Sequence, residues 1–243
     1  MEDTELPLLK EKENEVLEQK IEEDIKKKIR YDFIYKVYIL LLVQLALTFG
    51  FVVLANEIKT LEIFILSHRW LFYVMVFTPL IIIIYFLIDP KKTKQVPINY
   101  ILLFFFSMTE GYSVAYFTLS FQKWSVYFAM LLTLVAVLVL SLYAFITQRD
   151  FTVLGGILWV SLIILIFGNI INLFFFRLHL LKCILEIFGI ILFSLYLLYD
   201  TQLIIGNKQS KLSEDDYILA VMMLYVDIIN LFLYFLSLSG KNK

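Results

Sequence analysis

The sequence is poor in the residues that build metal centres and covalent cross-links. Cys183 is the one cysteine among 243 residues, which excludes an internal disulfide and a cysteine metal cluster. His68 and His179 are the two histidines, and both fall in segments read as loops. A histidine-based centre inside a span is therefore not expected. Charged residues make up only 18% of the chain, gathered in the first thirty residues and in short islands between long apolar runs. The net charge of -1 gives no bulk field for nucleic acid, so no nucleic-acid partner is expected. No connection is long enough to hold a soluble domain, and no motif calls for a cofactor.

What is present is apolar. Hydrophobic residues make up 61% of the chain, against about 45–50% in soluble domains. The mean hydropathy is +0.84. The reading is an all-α membrane protein that crosses the bilayer several times, with the lipid bilayer as its first partner. A span needs about 20 apolar residues. Seven segments qualify: 35–55, 70–88, 98–119, 124–146, 152–176, 183–205 and 217–239. They form a transmembrane domain over 31–240, preceded by a charged tail over 1–30. That tail has no apolar signal core, so the first span is expected to act as its own signal anchor. Within the tail, Leu17, Ile21, Ile25 and Ile29 recur every four residues, a narrow apolar stripe on a solvated helix.

Pro90 and Pro97 bracket the second loop, where helices should stop. Gly206 is read as the cap ending the sixth segment, and Ser213 with the acids after it as the start of the seventh. Lysine and arginine set the orientation. The N-terminal side carries twelve near the membrane, including Lys26, Lys27, Lys28 and Arg30. The opposite loops carry five: Lys59, Arg69, Lys123, Arg177 and Lys182. The N-terminus is expected in the cytosol. Seven full spans place the C-terminus on the other side. Six spans plus a re-entrant last segment is the alternative.

Four acids lie inside spans: Glu110, Glu186, Asp200 and Asp227. Each costs about 2.5–3.5 kcal/mol on insertion scales, so such residues point to function by default. No lysine or arginine lies well inside a span to neutralise them. Glu186 is one turn into its helix, within reach of the interface and of Lys182. Glu110 sits mid-segment beside Gly111. Asp200 and Asp227 stand on consecutive antiparallel spans, roughly 9 Å and 15 Å from the same membrane face at 1.5 Å per residue. Facing carboxylates in low dielectric cannot both stay ionised, so the pair should share a proton and titrate as a unit. The pair is also an oxygen site suited to a hard cation such as calcium, with Asn230 one turn on as an added oxygen. Two separate buried acids, each satisfied locally, is the alternative. Catalysis is not expected. Paired aspartates resemble those of bilayer proteases, but the glycine-x-glycine and proline–alanine–leucine elements are missing.

Several stretches resemble the transmembrane Bax-inhibitor-motif, or lifeguard, family. They are "FIYKVYILLLVQLALT" at 33–48, "VPINYILLFFFSMTEGYSVA" at 96–115 and "LYAFITQRDFTVLGG" at 142–156. "YDTQLIIG" at 199–206 and "DDYILAVMMLYVDIINLFLYFL" at 215–236 are the most specific. The short tail is similar to that of the Golgi-associated branch. The resemblance implies seven helices with the last one central. It also implies a passive, pH-sensitive calcium leak in the Golgi or endoplasmic reticulum, and protection against apoptosis. The family's paired aspartates fall on Asp200 and Asp227, and its third-span acid falls on Glu110. Some members carry an arginine latch near the end of the second helix. Here that region reads "FLIDPKK", leaving Lys91 or Lys92 beyond Pro90 as the nearest substitutes. A non-conducting regulator working through apoptosis regulators or calcium channels is the other reading, with the tail and "SKLSEDD" as contact surfaces.

Overall fold

The computed structural model describes residues 2–176, 178–206, 208 and 211–243. Among these, the side chains of 2–13, 15, 175 and 176 are left undescribed. Arg177, counted in the charge balance, and Ser210 of "SKLSEDD" lie outside the described residues. Eight α-helices appear among the described residues, and no β-sheet. They are α1 (Glu2–Glu57), α2 (Lys59–Ser67), α3 (Arg69–Ile88), α4 (Ile98–Thr118), α5 (Lys123–Ile146), α6 (Gly155–Ile171), α7 (His179–Ile205) and α8 (Tyr217–Ser239). Seven of the helical segments are long and apolar enough to cross a membrane. The chain is a multi-pass integral membrane protein.

Three local features differ from the sequence reading. The tail and the first span form one continuous helix, because no proline or glycine interrupts the chain from Leu8 to Phe49. The first connection is largely helical: α2 is too short to cross the bilayer and lies between α1 and α3. His179 is not in a loop but opens α7.

α8 sits at the centre. It is buried along 61% of its apolar window, α4 along 50%, and the other spans along 11–33%. It packs against α1, α4, α5 and α7. Ile218, Val221, Tyr225, Leu231, Phe232 and Leu236 carry almost no exposed surface. The outer helices present large apolar side chains outward, such as Ile84 and Leu87 of α3 and Leu134 and Leu138 of α5. In water such faces would be a liability; in lipid they are the expected exterior.

The re-entrant alternative does not hold. α8 runs unbroken for 23 residues. Its following residues pair with the α4–α5 turn, where Gln122 N donates to Lys241 O at 2.8 Å and Lys243 N to Ser120 O at 3.0 Å. Lys243 also meets Glu62 of α2 at 3.0 Å. The C-terminus therefore lies at the end of the bundle opposite Arg30.

Gly206 does cap α7, with φ of 71° in the left-handed region. Ser213 is not the cap of α8. That position belongs to Asp216, which Lys94 pairs at 3.1 Å. Glu214 is paired with Arg30 instead of serving the helix start.

Candidate functional site

The sixth and seventh spans bring Asp200 and Asp227 together. Asp200 is 3% exposed and Asp227 4%. Their carboxyl groups are neighbours and line the same cavity. Two carboxyls set side by side away from water are a pair that can share a proton. The remaining atoms Asp200 Oδ1 and Asp227 Oδ2 are buried without a partner. Among the described residues neither aspartate has a lysine, arginine or histidine in ion-pair contact. The two aspartates thus lie together on one cavity rather than in separate surroundings.

The "YDTQ" stretch explains why α7 places Asp200 so firmly. Tyr199 packs over Gly155, where a Cβ would stand 2.8 Å from the tyrosine hydroxyl. Gln202 has no exposed surface. Its Oε1 accepts from Phe151 N at 2.7 Å, and its Nε2 donates to Arg149 O at 2.9 Å. These contacts pin the α5–α6 loop to α7 two residues beyond Asp200. On the open side of the pair lies a cavity of about 300 Å³ between α3, α6, α7 and α8. Its walls are apolar, with Tyr196 and Tyr199 beside the carboxyls.

The other acids sort differently. Glu110 and Asn230 line a second, smaller cavity of about 110 Å³ with Tyr225, whose hydroxyl meets Thr48 Oγ1 at 2.7 Å. Asn230 turns back onto its own helix, donating to Val226 O at 2.8 Å. Glu186 is 5% exposed and accepts from the Ser237 hydroxyl, with Lys182 Nζ at 3.4 Å. It is the paired acid of the four. Lys91 and Lys92 stay in the α3–α4 loop, where Lys92 Nζ donates to Gln95 Oε1 at 3.0 Å. Neither lines the aspartate cavity, so no latch comes from that loop. Among the described residues no three His, Cys, Asp or Glu side chains converge as a metal centre.

One residue near the site was not legible as functional. Arg30 stood at the end of a lysine-rich tail and looked like part of its solvated charge. Its guanidinium instead donates to Leu203 O at 2.6 Å, Ile205 O at 3.1 Å and Leu212 O at 2.6 Å. It also binds Glu214 Oε1 at 3.1 Å. Three backbone carbonyls at the end of α7 and in the following loop are thereby bound by one side chain, with Leu203 O also accepting from Leu212 N at 3.0 Å. The guanidinium lies so close over Gly206 that any Cβ there would collide with it. Its one sequence signal is that it is the only arginine in that lysine-rich tail.

Glu214 lies outside the spans. Its own backbone N–H, helped by the Arg30 guanidinium, holds its carboxyl below the usual glutamate range against the opposing effect of burial. A lowered folded value stabilises at and above the usual range and loses that contribution as pH falls through the folded value. Wild type should therefore melt above Glu214→Gln at neutral pH, and thermal melting should show the gap closing on acidification. A gap that widened in acid would contradict the sign.

The family model described as inhibitor of apoptosis-promoting Bax1 matches residues 30–243. Protein lifeguard 3 of Homo sapiens is 31% identical over 222 residues, covering 89% of this chain and 71% of that protein. Protein lifeguard 3 of Mus musculus is 28% identical over 218 residues, covering 88% and 71%. Bax inhibitor 1 of Schizosaccharomyces pombe is 30% identical over 214 residues, covering 88% and 78%. The matched region includes both aspartates, Arg30 and all seven spans, and the chain belongs to the Bax-inhibitor-motif (lifeguard) family.

Proposed function

We propose that the chain is a pH-sensitive calcium leak of endomembranes, in the Golgi or endoplasmic reticulum, with its N-terminus in the cytosol and a role in restraining apoptosis. The observation that carries this reading is the buried pair Asp200–Asp227 with two orphan oxygens and, among the described residues, no basic partner. Such a pair changes charge when its proton leaves, at the contact between α7 and the central α8. Ionised, it attracts a hard cation and repels itself; with its proton, it closes the contact. The names of the relatives support the link to apoptosis. The test is calcium flux into liposomes carrying the purified chain, measured against pH. The reading fails if Asp200→Asn plus Asp227→Asn leaves flux and pH profile as in wild type.

A second reading rests on α1. Leu17, Ile21, Ile25 and Ile29 are 50–56% exposed along the part of the helix beyond the bundle. This stripe suits a partner helix, such as one from an apoptosis regulator or a calcium channel. Deleting residues 1–29 separates the two, since it leaves Arg30 in place. A pure leak keeps its flux after the deletion, whereas a tail-driven adaptor loses protection of cells from apoptotic stimuli.

A further inference from the structure

The cavity beside the aspartate pair has a composition that ions alone do not explain. It holds about 300 Å³, near the lower end of small-molecule sites. Ile83, Leu162, Leu219, Met222, Met223 and Val226 supply its apolar walls. Leu219 is 37% exposed and marks the mouth, on the side where lipid tails lie. The floor is the Asp200 and Asp227 pair. The Tyr196 ring lines the cavity with both aspartates.

A bare calcium ion needs six or more oxygen ligands. The side chains around this cavity offer only the two carboxyls and two phenols. A primary ammonium needs three acceptors and tolerates an aromatic face as one of them. The chain supplies no such cation, because Lys91 and Lys92 remain in their loop. With its shared proton the pair carries one negative charge, which one ammonium neutralises.

We infer that this cavity is a binding site for a lipophilic primary amine, with its ammonium on the carboxyl groups of Asp200 and Asp227 where they line the cavity and its alkyl chain along the Met222–Met223 wall. Entry is lateral, past Leu219. The amine takes the place that an internal basic side chain would fill, and it ties α7 to α8 from within the bilayer. The inference rests on the aspartate geometry and not on conduction, so it stands or falls separately from the leak.

The test uses the full chain in detergent, with n-octylammonium as probe and 1-octanol as its neutral counterpart. Thermal melting is the readout, which is independent of flux. The ammonium should raise the melting temperature at a concentration about tenfold lower than any effect of the alcohol. Asp200→Asn plus Asp227→Asn should erase that difference. Met223→Trp, which fills the cavity and keeps both carboxyls, should erase it too, and it decides the matter if the double variant does not fold. Equal effects of amine and alcohol on wild type would overturn the inference. So would an ammonium advantage that survives Met223→Trp.

Discussion

Under the proposed leak function, replacing Asp227 with asparagine should make calcium flux through the chain insensitive to pH across the neutral range. The ratio of flux between the acid and alkaline ends of that range falls to about one, because the shared proton has lost one of its two seats. Asp200→Asn does the same, and the double variant is no worse than either single change, since the two residues act as one titrating unit. Stability moves the other way. Asparagine keeps the size of aspartate and can donate to the remaining carboxyl, while removing a buried group that must otherwise be ionised or share a proton. The single variants should therefore melt at or above the wild-type temperature. This combination, intact fold with a flat pH profile, separates a sensing role from a packing role. A variant that unfolds, or one that folds and keeps the wild-type profile, argues against the pair as sensor.

Arg30→Ala should be the most destabilising single change outside the core. It strips four hydrogen bonds from one guanidinium and takes the side-chain donor from the carbonyls of Ile205 and Leu212, while Leu203 O keeps Leu212 N. Hydrogen bonds to charged groups are worth about 1.5–3 kcal/mol each, and water recovers part of that for a residue this near the surface. A net loss on the order of 3 kcal/mol follows. It is readable as a fall in melting temperature of the purified chain. Arg30→Lys recovers only a minor part, because an ammonium lacks the planar fork that serves several acceptors at once. Full recovery by lysine would show that charge alone matters there. Glu214→Gln should cost far less than Arg30→Ala, since it removes one contact of the four and leaves the carbonyls satisfied.

How much of this was legible depended on whether the signal was local. The ends of α3, α4, α5 and α8 were readable to within a residue or two, because prolines and charges stand at them. The pairing of Asp200 with Asp227 was readable because an acid in lipid is rare and the two lie at similar depths. The tail and the first span looked separate because composition changes sharply near residue 31. A helix backbone is indifferent to such a change when neither proline nor glycine intervenes. α2 was missed because an eight- or nine-residue apolar stretch is ambiguous by period alone. Arg30 could not be found by any local rule. Its acceptors lie 173–184 residues away along the chain, and three of them are backbone carbonyls with no sequence identity. Gln202 was hidden for the same reason: its partners are the main chain of Arg149 and Phe151.

Mechanically, the unbroken α1 is a boom. From Val16 to Glu57 it runs 42 residues, about 63 Å at 1.5 Å per residue. The hydrocarbon core takes up only about 30 Å of that length. Arg30 is the pivot, bolted to the end of α7 just three residues past Asp200 at Leu203. A sideways load at residue 16 acts on an arm of about 21 Å. It arrives as torque on the stretch of backbone that bears one half of the aspartate pair. Whatever grips the tail thus has a handle on the proton site without entering the membrane.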